Sequence, residues 1–370
     1  MFKNILKKYI YFFLLSKKVF KKPAQKKVLI FDSDDSEKIK KYLDKNNVEI
    51  LDIRMAYVTN QRLNLYILIK CFLNFKFSVR EYLREYVKAV NPKLLITLTD
   101  NYPQFYDLKK INKKIITIII QKAFRSLNSS DILFRIKELR KKKEYFCDYL
   151  LMFNTETGKI FKSFLKGKII PIGSFKSNSV PKKKKQKKTI KLLYISVFRP
   201  FPYQNQKEDF IFFKNLKSYC EKNNILLHVL GATQYKEEQN FYYKIFGSVL
   251  KKYIARFENR NPYKIVDSAN IVLNIDSTLG YEAISRGNKV GFFSIRNKNF
   301  PNYSRQFGWP VKKNFGKGRF WTDENSYKEL SRVLNFLRKR KDKTFKEMNN
   351  IMKFDEGNQI FLKLIKKLNV

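Results

Sequence analysis

The sequence is poor in the side chains that most metal and disulfide sites need. It has a single histidine, His228, and three widely separated cysteines, Cys71, Cys147 and Cys220, with no C-x-x-C pair. This composition argues against a zinc site and a disulfide framework, and we predict no metal and a reducing, cytoplasmic compartment. The P-loop, G-x-G-x-x-G, G-x-S-x-G and H-E-x-x-H patterns are also missing, so the protein classes that they define lack support.

Acidic residues are scarce. The chain has 32 Asp and Glu against 78 Lys and Arg, a net charge of +46. Three causes fit such a charge: a nucleic-acid partner, an anionic membrane surface, or a genome that favours lysine codons. Because the charge is spread along the whole length and is mostly lysine, it favours compositional bias with attraction to anionic surfaces over a dedicated nucleic-acid stripe.

No apolar run is long enough to span a bilayer. At the N-terminus, the run at residues 9–15 is short, and lysines follow it without an A-x-A-like cleavage site. Aromatic and aliphatic residues between lysines suit a helix in the interface of an anionic membrane. We therefore predict that residues 1–22 hold the protein on the inner face of the plasma membrane; the alternative is a terminal helix that packs or frays.

Short apolar runs alternate with helical stretches along most of the chain. A strand–helix alternation of this kind predicts parallel sheets covered on both faces. The Ser- and Lys-rich residues 174–188 lack periodicity and predict an exposed linker between two such halves. The fold class that follows is α/β and GT-B-like, with two Rossmann-like domains whose parallel sheets face a cleft. The runs lie at residues 27–32, 48–53, 94–99, 115–120, 149–154, 168–172, 190–196, 225–230, near 253–257, 271–275 and 289–294, and an amphipathic segment lies at 63–90.

The stretch at residues 271–293, IVLNIDSTLGYEAISRGNKVGFF, predicts strand, tight turn, helix and strand. Asp276, Ser277 and Thr278 suit a helix start, and Gly287 ends the helix. A hydroxyl-rich turn at the carboxyl end of a parallel strand can bind phosphate, because free backbone N–H groups and the helix dipole both favour an anion. The alternative is an ordinary capped helix.

Several phrases of the chain together resemble one known family. They are ITLTDNYPQFYDL (96–108), PIGSFK (171–176), ISVFRP (195–200), DSTLGYEA (276–283) with the following Arg-Gly, FGWP (307–310), FWT (320–322) and DEGN (355–358). From about residue 28 to residue 358 the chain resembles the bacterial surface carbohydrate (polysaccharide) biosynthesis proteins, a GT-B-like family. The phrase DSTLGYEA also resembles the diphosphate-binding turn of the sugar-nucleotide epimerases.

The resemblance implies site residues and domain roles. Ser277, Thr278 and Gly280 would bind the donor's diphosphate, and Glu282 its ribose hydroxyls. The implied divisions are a basic amphipathic segment (1–22), an acceptor domain (23–175), a Lys-rich linker (176–189), a nucleotide-donor domain (190–345) and a C-terminal helix (346–370). The family reads Q-N-G after the strand at 115–120, whereas this chain has Gln, Lys and Ala at 121–123.

Transfer from a nucleotide donor needs basic groups that stabilise the leaving diphosphate. Arg199 is the first candidate, because it follows the strand at 190–196 and a guanidinium can grip phosphate with two hydrogen bonds. Ser196 would help to hold the same anion. The alternative for Arg199 is a surface position in a Pro-rich turn, and Arg286 is expected at the surface.

The acceptor hydroxyl needs a base, and a carboxylate is the best candidate because His228 lies inside an apolar strand. Asp100 and Asp32 each follow a predicted strand; they could instead cap or begin helices. Asn101, Gln121 and Arg125 are candidates for acceptor contacts.

The predicted function is a metal-independent glycosyltransferase without a cofactor. It would move a sugar from a nucleotide-sugar donor to a surface polysaccharide or lipid-linked acceptor, with an anionic membrane surface nearby and no nucleic acid. The alternatives are an alditol-phosphate transferase, a sugar-nucleotide epimerase, a basic nucleic-acid-binding protein, and a non-catalytic scaffold of the pathway.

Overall fold

The computed structural model describes residues 13–52, 62–124, 145–182, 188–198, 206–232, 236–256, 261–296, 307–308, 316–340 and 351–370. The chain forms two compact units. The first comprises residues 1–122, 132–179 and 358–370, and the second comprises residues 123–131 and 180–357. We describe each unit by itself.

The first unit is built on a six-stranded parallel sheet. The strands described in this unit, within the sheet or outside it, are β1 (Lys17–Val19), β2 (Val28–Phe31), β3 (Val48–Leu51), β4 (Arg62–Asn64), β5 (Leu94–Thr97), β6 (Ile116–Ile120), β7 (Phe146–Met152) and β8 (Lys166–Pro171). The order in the sheet is β3-β2-β5-β6-β7-β8, and β1 pairs with β4 in a separate two-stranded sheet. All residues of β2 and β5 are buried, as parallel strands covered on both faces require.

Helices cover this sheet and supply its apolar core. They are α1 (Ser36–Lys40), α2 (Leu65–Leu73), α3 (Val79–Val90), α4 (Pro103–Leu108), α5 (Thr155–Lys162), α6 (Phe175–Asn178) and α12 (Gln359–Leu368). Helix α12 returns to this unit from the far end of the sequence. Its Phe361 packs edge-on against Phe175, with ring centroids 5.0 Å apart, and Asn358 donates to the hydroxyl of Tyr42.

The second unit repeats the plan. Its strands are β9 (Ile190–Ile195), β10 (Leu227–Leu230), β11 (Leu250–Ile254), β12 (Ala269–Asn274), β13 (Lys289–Phe293), β14 (Lys317–Gly318) and β15 (Trp321–Thr322). The order is β11-β10-β9-β12-β13-β15-β14, parallel except for the β14–β15 pair. The helices are α7 (Gln206–Lys222), α8 (Lys236–Phe246), α9 (Pro262–Ser268), α10 (Thr278–Ser285) and α11 (Tyr327–Lys339).

Three sequence expectations differ from the structure. The segment at 63–90 divides into β4, α2 and α3, and Phe75, with a left-handed conformation of φ 54°, lies between the two helices. Strand β11 ends at Ile254, before most of the range predicted at 253–257. The segment at 174–188 was expected to be an exposed linker, but it begins with α6, whose Ser177 and Asn178 are buried.

The strand and helix pattern otherwise follows the sequence prediction at the predicted runs. Among the described residues, no helix has the length and apolar character needed to cross a membrane.

Candidate functional site

The turn after β12 joins the carboxyl end of a central strand to a helix start. Ser277 is the N-cap of α10, and its Oγ accepts a hydrogen bond from the Leu279 amide at 3.3 Å. Asn274, the last residue of β12, accepts from the Ser277 amide at 3.2 Å. Thr278 Oγ1 accepts from the Phe124 amide at 3.2 Å. The predicted tight turn is thus formed, and its two hydroxyl residues, Ser277 and Thr278, are only partly buried.

Close packing fixes the glycine of this turn. A Cβ added at Gly280 would lie 2.2 Å from Cγ of Asn274, far inside van der Waals contact. The side chain of Asn274 is fully buried, and its Nδ2 has no hydrogen-bond partner within the described residues. Buried donors are nearly always paired, so a polar ligand group could accept a hydrogen bond from this amide.

Glu282 lies on the second turn of α10. Its carboxylate is buried and accepts a hydrogen bond from the Tyr263 hydroxyl at 3.1 Å. Tyr263 stands near the start of α9, where Asn261 accepts from its backbone amide at 3.0 Å. The turn at Ser277 and a buried carboxylate are therefore joined by one helix.

Ser196 follows β9 and is buried, but its hydroxyl is engaged within the unit. It donates to Glu238, and the Tyr242 hydroxyl lies 2.8 Å from Ser196 Oγ. The Phe198 amide also donates to Ser196 Oγ, at 3.1 Å. A hydroxyl has one proton to donate. In this arrangement Ser196 orders the loop after β9 and does not also donate that proton to a phosphate.

Arg256 is a residue that the sequence analysis missed. It lies two residues beyond the end of β11, and its Nη2 donates to the Ser196 carbonyl at 3.3 Å. Burial lowers the pKa of Arg256, and the negative charges of Glu238 and Glu282 oppose this shift. Its Nε is buried without a hydrogen-bond partner in the described part of the chain. The sequence pattern predicted a strand near 253–257, so Arg256 was expected within the strand and not after its end.

Asp276 orients the turn through a buried arginine. Arg296 binds Asp209 through two hydrogen bonds, of 2.9 Å from Nε and 2.7 Å from Nη2, and its Nη1 lies 3.5 Å from Asp276 Oδ2. Burial alone would lower the pKa of Arg296, but the two carboxylates raise it well above its usual value. Asp276 is thus paired within the protein.

The expectation for Arg286 is wrong. Its side chain is fully buried, not at the surface. It binds Asp267 through two guanidinium nitrogens, and Nη1 donates to the Val180 carbonyl at 3.0 Å. The guanidinium also stacks near the ring of Tyr263, 5.5 Å from its centroid. Arg286 therefore supports the helix pair that holds Glu282.

In the first unit, the two predicted catalytic carboxylates both lie buried at strand ends. Asp32 follows β2 with φ 81°, and Thr99 donates to its Oδ2 at 2.6 Å. Asp100 accepts from the Lys122 amide at 3.2 Å. The N-cap residues of α1 and α4 are Asp35 and Tyr102, without side-chain capping bonds. Asp32 Oδ1 accepts from the Asp34 amide at 3.1 Å in the turn that leads into α1, so the acidic cluster also forms the start of that helix, which was the alternative for Asp32.

Lys122 stands where the family has asparagine, and it binds the acidic loop after β2. Its Nζ pairs with Asp34 and lies 3.1 Å from Asp35 Oδ2. Burial would raise the pKa of Asp35, but the charges of Lys176, Lys122 and Lys38 hold it well below its usual range. The departure from the family pattern thus adds a cation to this strand edge.

The remaining predicted residues are placed as follows. Asn101 is partly buried beside Asp100. Gln121 is buried at the end of β6, and its Oε1 accepts from the Phe153 amide at 2.9 Å, so it joins neighbouring strand ends. Arg199 and Arg125 lie outside the described residues. Asp32, Asp100, Asn101 and Gln121 belong to the first unit, and Ser196, Ser277, Thr278, Gly280 and Glu282 belong to the second.

Metal-binding groups are not evident. In the described ranges, no cluster of three or more His, Cys, Asp and Glu residues could hold an ion. His228 lies within β10, where burial first, and then the charges of Lys251 and Lys252, lower its pKa. All three cysteines are free and buried.

A family model described as "putative O-antigen biosynthesis protein" matches residues 118–369 of the chain, more than half of its length. The chain belongs to this family. The resemblance to surface carbohydrate biosynthesis proteins is therefore confirmed. No curated protein matches the chain.

Solved structures similar to this O-antigen family member share its fold at low identity. MnaA from S. aureus, in a structure with UDP, is 12% identical, with 93% of this chain and 97% of MnaA covered and a TM-score of 0.57. The UDP-GlcNAc 2-epimerase of Neisseria meningitidis, bound to UDP-GlcNAc, is 11% identical, with 95% and 100% covered and a TM-score of 0.52.

The wall teichoic acid polymerase TagF is 12% identical, with 99% of this chain and 95% of the TagF chain covered and a TM-score of 0.53. At these identities the likeness concerns the fold. The predicted GT-B-like α/β class is confirmed.

Proposed function

We propose that the protein is a glycosyltransferase that moves a sugar from a nucleotide-sugar donor to a surface polysaccharide or lipid-linked acceptor. The observation on which this rests is the α10 start in the second unit, where an open hydroxyl-bearing turn and a buried carboxylate share one helix. Family membership in O-antigen biosynthesis and a fold shared with nucleotide-sugar enzymes support the same reading.

The second unit would bind the donor. The hydroxyls of Ser277 and Thr278 and the Thr278 amide would receive the diphosphate at the start of α10, where the helix dipole favours negative charge, and Gly280 would let the diphosphate approach the backbone closely. Glu282 would accept hydrogen bonds from ribose hydroxyls, with Tyr263 fixing its orientation. Arg256 supplies a nearby positive charge, a role that we also propose for Arg199.

The first unit would bind the acceptor. In the reaction, the acceptor hydroxyl forms a bond to the anomeric carbon, and the bond from that carbon to the diphosphate oxygen breaks. The diphosphate leaves with the electron pair, and a carboxylate accepts the hydroxyl proton. We propose Asp100 or Asp32 for this base, with Asn101, Gln121 and Arg125 as acceptor contacts.

The proposal needs neither a metal ion nor a cofactor, because helix-terminal amides and arginines can stabilise the leaving diphosphate. It also places the protein in the cytoplasm, at the inner face of the plasma membrane, where a lipid-linked acceptor would be reached.

Glu282→Gln tests the donor site with little change in shape. We expect its affinity for nucleoside diphosphates such as UDP and CDP to fall about tenfold or more, since a charge-assisted hydrogen bond contributes about 1.5–3 kcal/mol. Titration calorimetry on the full chain measures this loss. The matched control is Glu156→Gln, an exposed glutamate on α5, which should bind as the wild type does. Equal affinity in both variants would remove the donor assignment.

An epimerase remains the second candidate, because one of the similar structures is a UDP-GlcNAc 2-epimerase bound to UDP-GlcNAc. Product analysis with a labelled nucleotide-sugar separates the two. Transfer needs an acceptor and releases the nucleoside diphosphate, whereas epimerisation proceeds without an acceptor. An alditol-phosphate transferase would instead release a nucleoside monophosphate.

A further inference from the structure

Helix α2 is apolar on both of its sides. Ile67 and Cys71 are buried in the core of the first unit. The opposite side presents Tyr66, Ile69 and Leu73, at 39%, 51% and 71% exposure, with the i, i+3, i+7 spacing of one helix face. A surface helix of a soluble domain normally turns a polar face outward, so this apolar face is unusual.

Three phenylalanines, one near the end of α2 and two beyond it, extend that surface. Phe72, Phe75 and Phe77 are 66%, 84% and 69% exposed, among the most exposed large side chains described. Their rings touch one another, with centroids 5.6 Å apart for Phe72–Phe77 and 6.3 Å for Phe75–Phe77. Phe75 holds a left-handed backbone that bulky residues rarely adopt. We name Tyr66, Ile69, Phe72, Leu73, Phe75 and Phe77 the aromatic face.

The surroundings of the aromatic face are positive. Residues 62–77 contain three basic and no acidic residues, and residues 13–26 contain five basic and no acidic residues. The two segments adjoin, because β1 pairs with β4 and the Lys21 carbonyl accepts from Asn64 Nδ2 at 3.0 Å. Phe20, at 70% exposure, follows β1 directly.

The carboxylates close by are outnumbered. Asp52 pairs with Arg62, with 3.1 Å between Oδ2 and Nε. Lys70, Lys76 and Lys88 all approach the Glu85 carboxylate, at 3.0, 2.9 and 3.1 Å. Two positive charges are left over at this point. Excess positive charge beside exposed aromatic and aliphatic side chains is complementary to a partner surface that has an apolar interior beneath an anionic outer layer.

We propose that the aromatic face docks on an anionic bilayer. The rings would enter the interfacial region, and the lysines would lie at the headgroups with their alkyl stems along the apolar layer. The inference deepens the proposed function, since it names the surface that would bring the protein to a membrane acceptor, and it rests on that function only for the acceptor.

Vesicle co-sedimentation of the full chain tests this surface. The variant is Phe72→Ser/Phe75→Asn/Phe77→Ser, with asparagine at 75 because it tolerates a left-handed backbone. We expect binding to phosphatidylglycerol-rich vesicles to fall about tenfold or more, given the apolar area that each ring would bury. Added salt and phosphatidylcholine vesicles should also weaken wild-type binding. The control is Leu226→Ser/Tyr243→Ser, two exposed apolar residues of the second unit, which should bind as the wild type does.

Three outcomes would overturn the proposal. The first is equal binding by the triple variant and the wild type. The second is wild-type self-association that the triple variant abolishes, seen by sedimentation velocity without vesicles, which would make the face a contact between two copies. The third is loss of binding on removal of residues 1–12 with no loss in the triple variant. Nucleotide calorimetry on the same triple variant keeps the two proposals separable, because the donor turn belongs to the other unit.

Discussion

The two units order the carboxyl ends of their sheets with different cations. In the second unit, the buried Arg296 follows β13 and binds Asp209 through two nitrogens. The buried Arg286 binds Asp267 in the same way at the opposite edge of the sheet, where β12 and β13 begin. In the first unit, Lys122 is partly exposed and pairs with Asp34 and Asp35. A guanidinium fixes carboxylate geometry, whereas an ammonium is a mobile point charge. The second edge is therefore rigid, and the first is adjustable.

This difference matches the proposed division of labour. A diphosphate is the same in every nucleotide-sugar, so a rigid turn with fixed amides suits it. An acceptor glycan varies, and a lysine that can change partners suits a variable ligand. Two copies of one topology can thus differ in function through the residues that follow their strands.

The comparison predicts its largest effect at Arg286. Arg286→Met leaves the buried Asp267 carboxylate without its cation and with the Asn288 amide still donating to it at 3.2 Å, which should lower the free energy of unfolding by about 3–5 kcal/mol. Arg338→Met is the control, because Arg338 is exposed and its loss should change stability by about 0.5 kcal/mol or less. Denaturant unfolding measures both. Similar shifts for the two variants would contradict the buried-pair account.

Gly280→Ala probes the rigidity of the donor turn. The new methyl group would meet Asn274, so we expect a loss of about 1–3 kcal/mol in stability together with weaker nucleotide binding. Adding Asn274→Ala removes the obstacle and should restore part of the stability. If Gly280→Ala melts at the wild-type temperature, the turn is looser than its packing indicates.

Asp35→Asn should give the smallest effect, in the adjustable unit. Because lysine charges lower the pKa of Asp35 in the folded chain, its ionised form stabilises the fold. That contribution is complete above its ordinary pKa of about 4 and disappears as the pH falls below that value toward the folded pKa. Because the lysines are partly exposed, solvent screening limits this contribution of Asp35 to about 1 kcal/mol. Stability measured from pH 7 down to acid should fall less steeply in Asp35→Asn than in the wild type, and parallel curves would contradict this.

Local sequence was sufficient for most strands and for the donor turn. The helix start within residues 276–278 and the helical position of Glu282 both follow from a few adjacent residues. The end of α2 before Phe75 was not predictable in this way, because the left-handed residue after a helix is normally glycine or asparagine.

The buried arginines required tertiary information. Arg286 and Asp267 are nineteen positions apart in the sequence, and Arg296 and Asp209 are eighty-seven positions apart. A sequence pattern of neighbouring residues therefore cannot predict either pair. Arg256 depended on where β11 ends, to within two residues, and such boundaries are the weakest part of a sequence pattern.

The return of α12 to the first unit has a consequence for how the protein is made. During synthesis, Tyr42 and Phe175 emerge long before Phe361, which packs against both of them. Until the ribosome has released that helix, one face of the first sheet lacks part of its cover. The unit whose sequence begins first is therefore finished last, and a nascent chain must keep that apolar surface from aggregating while the whole second unit is translated.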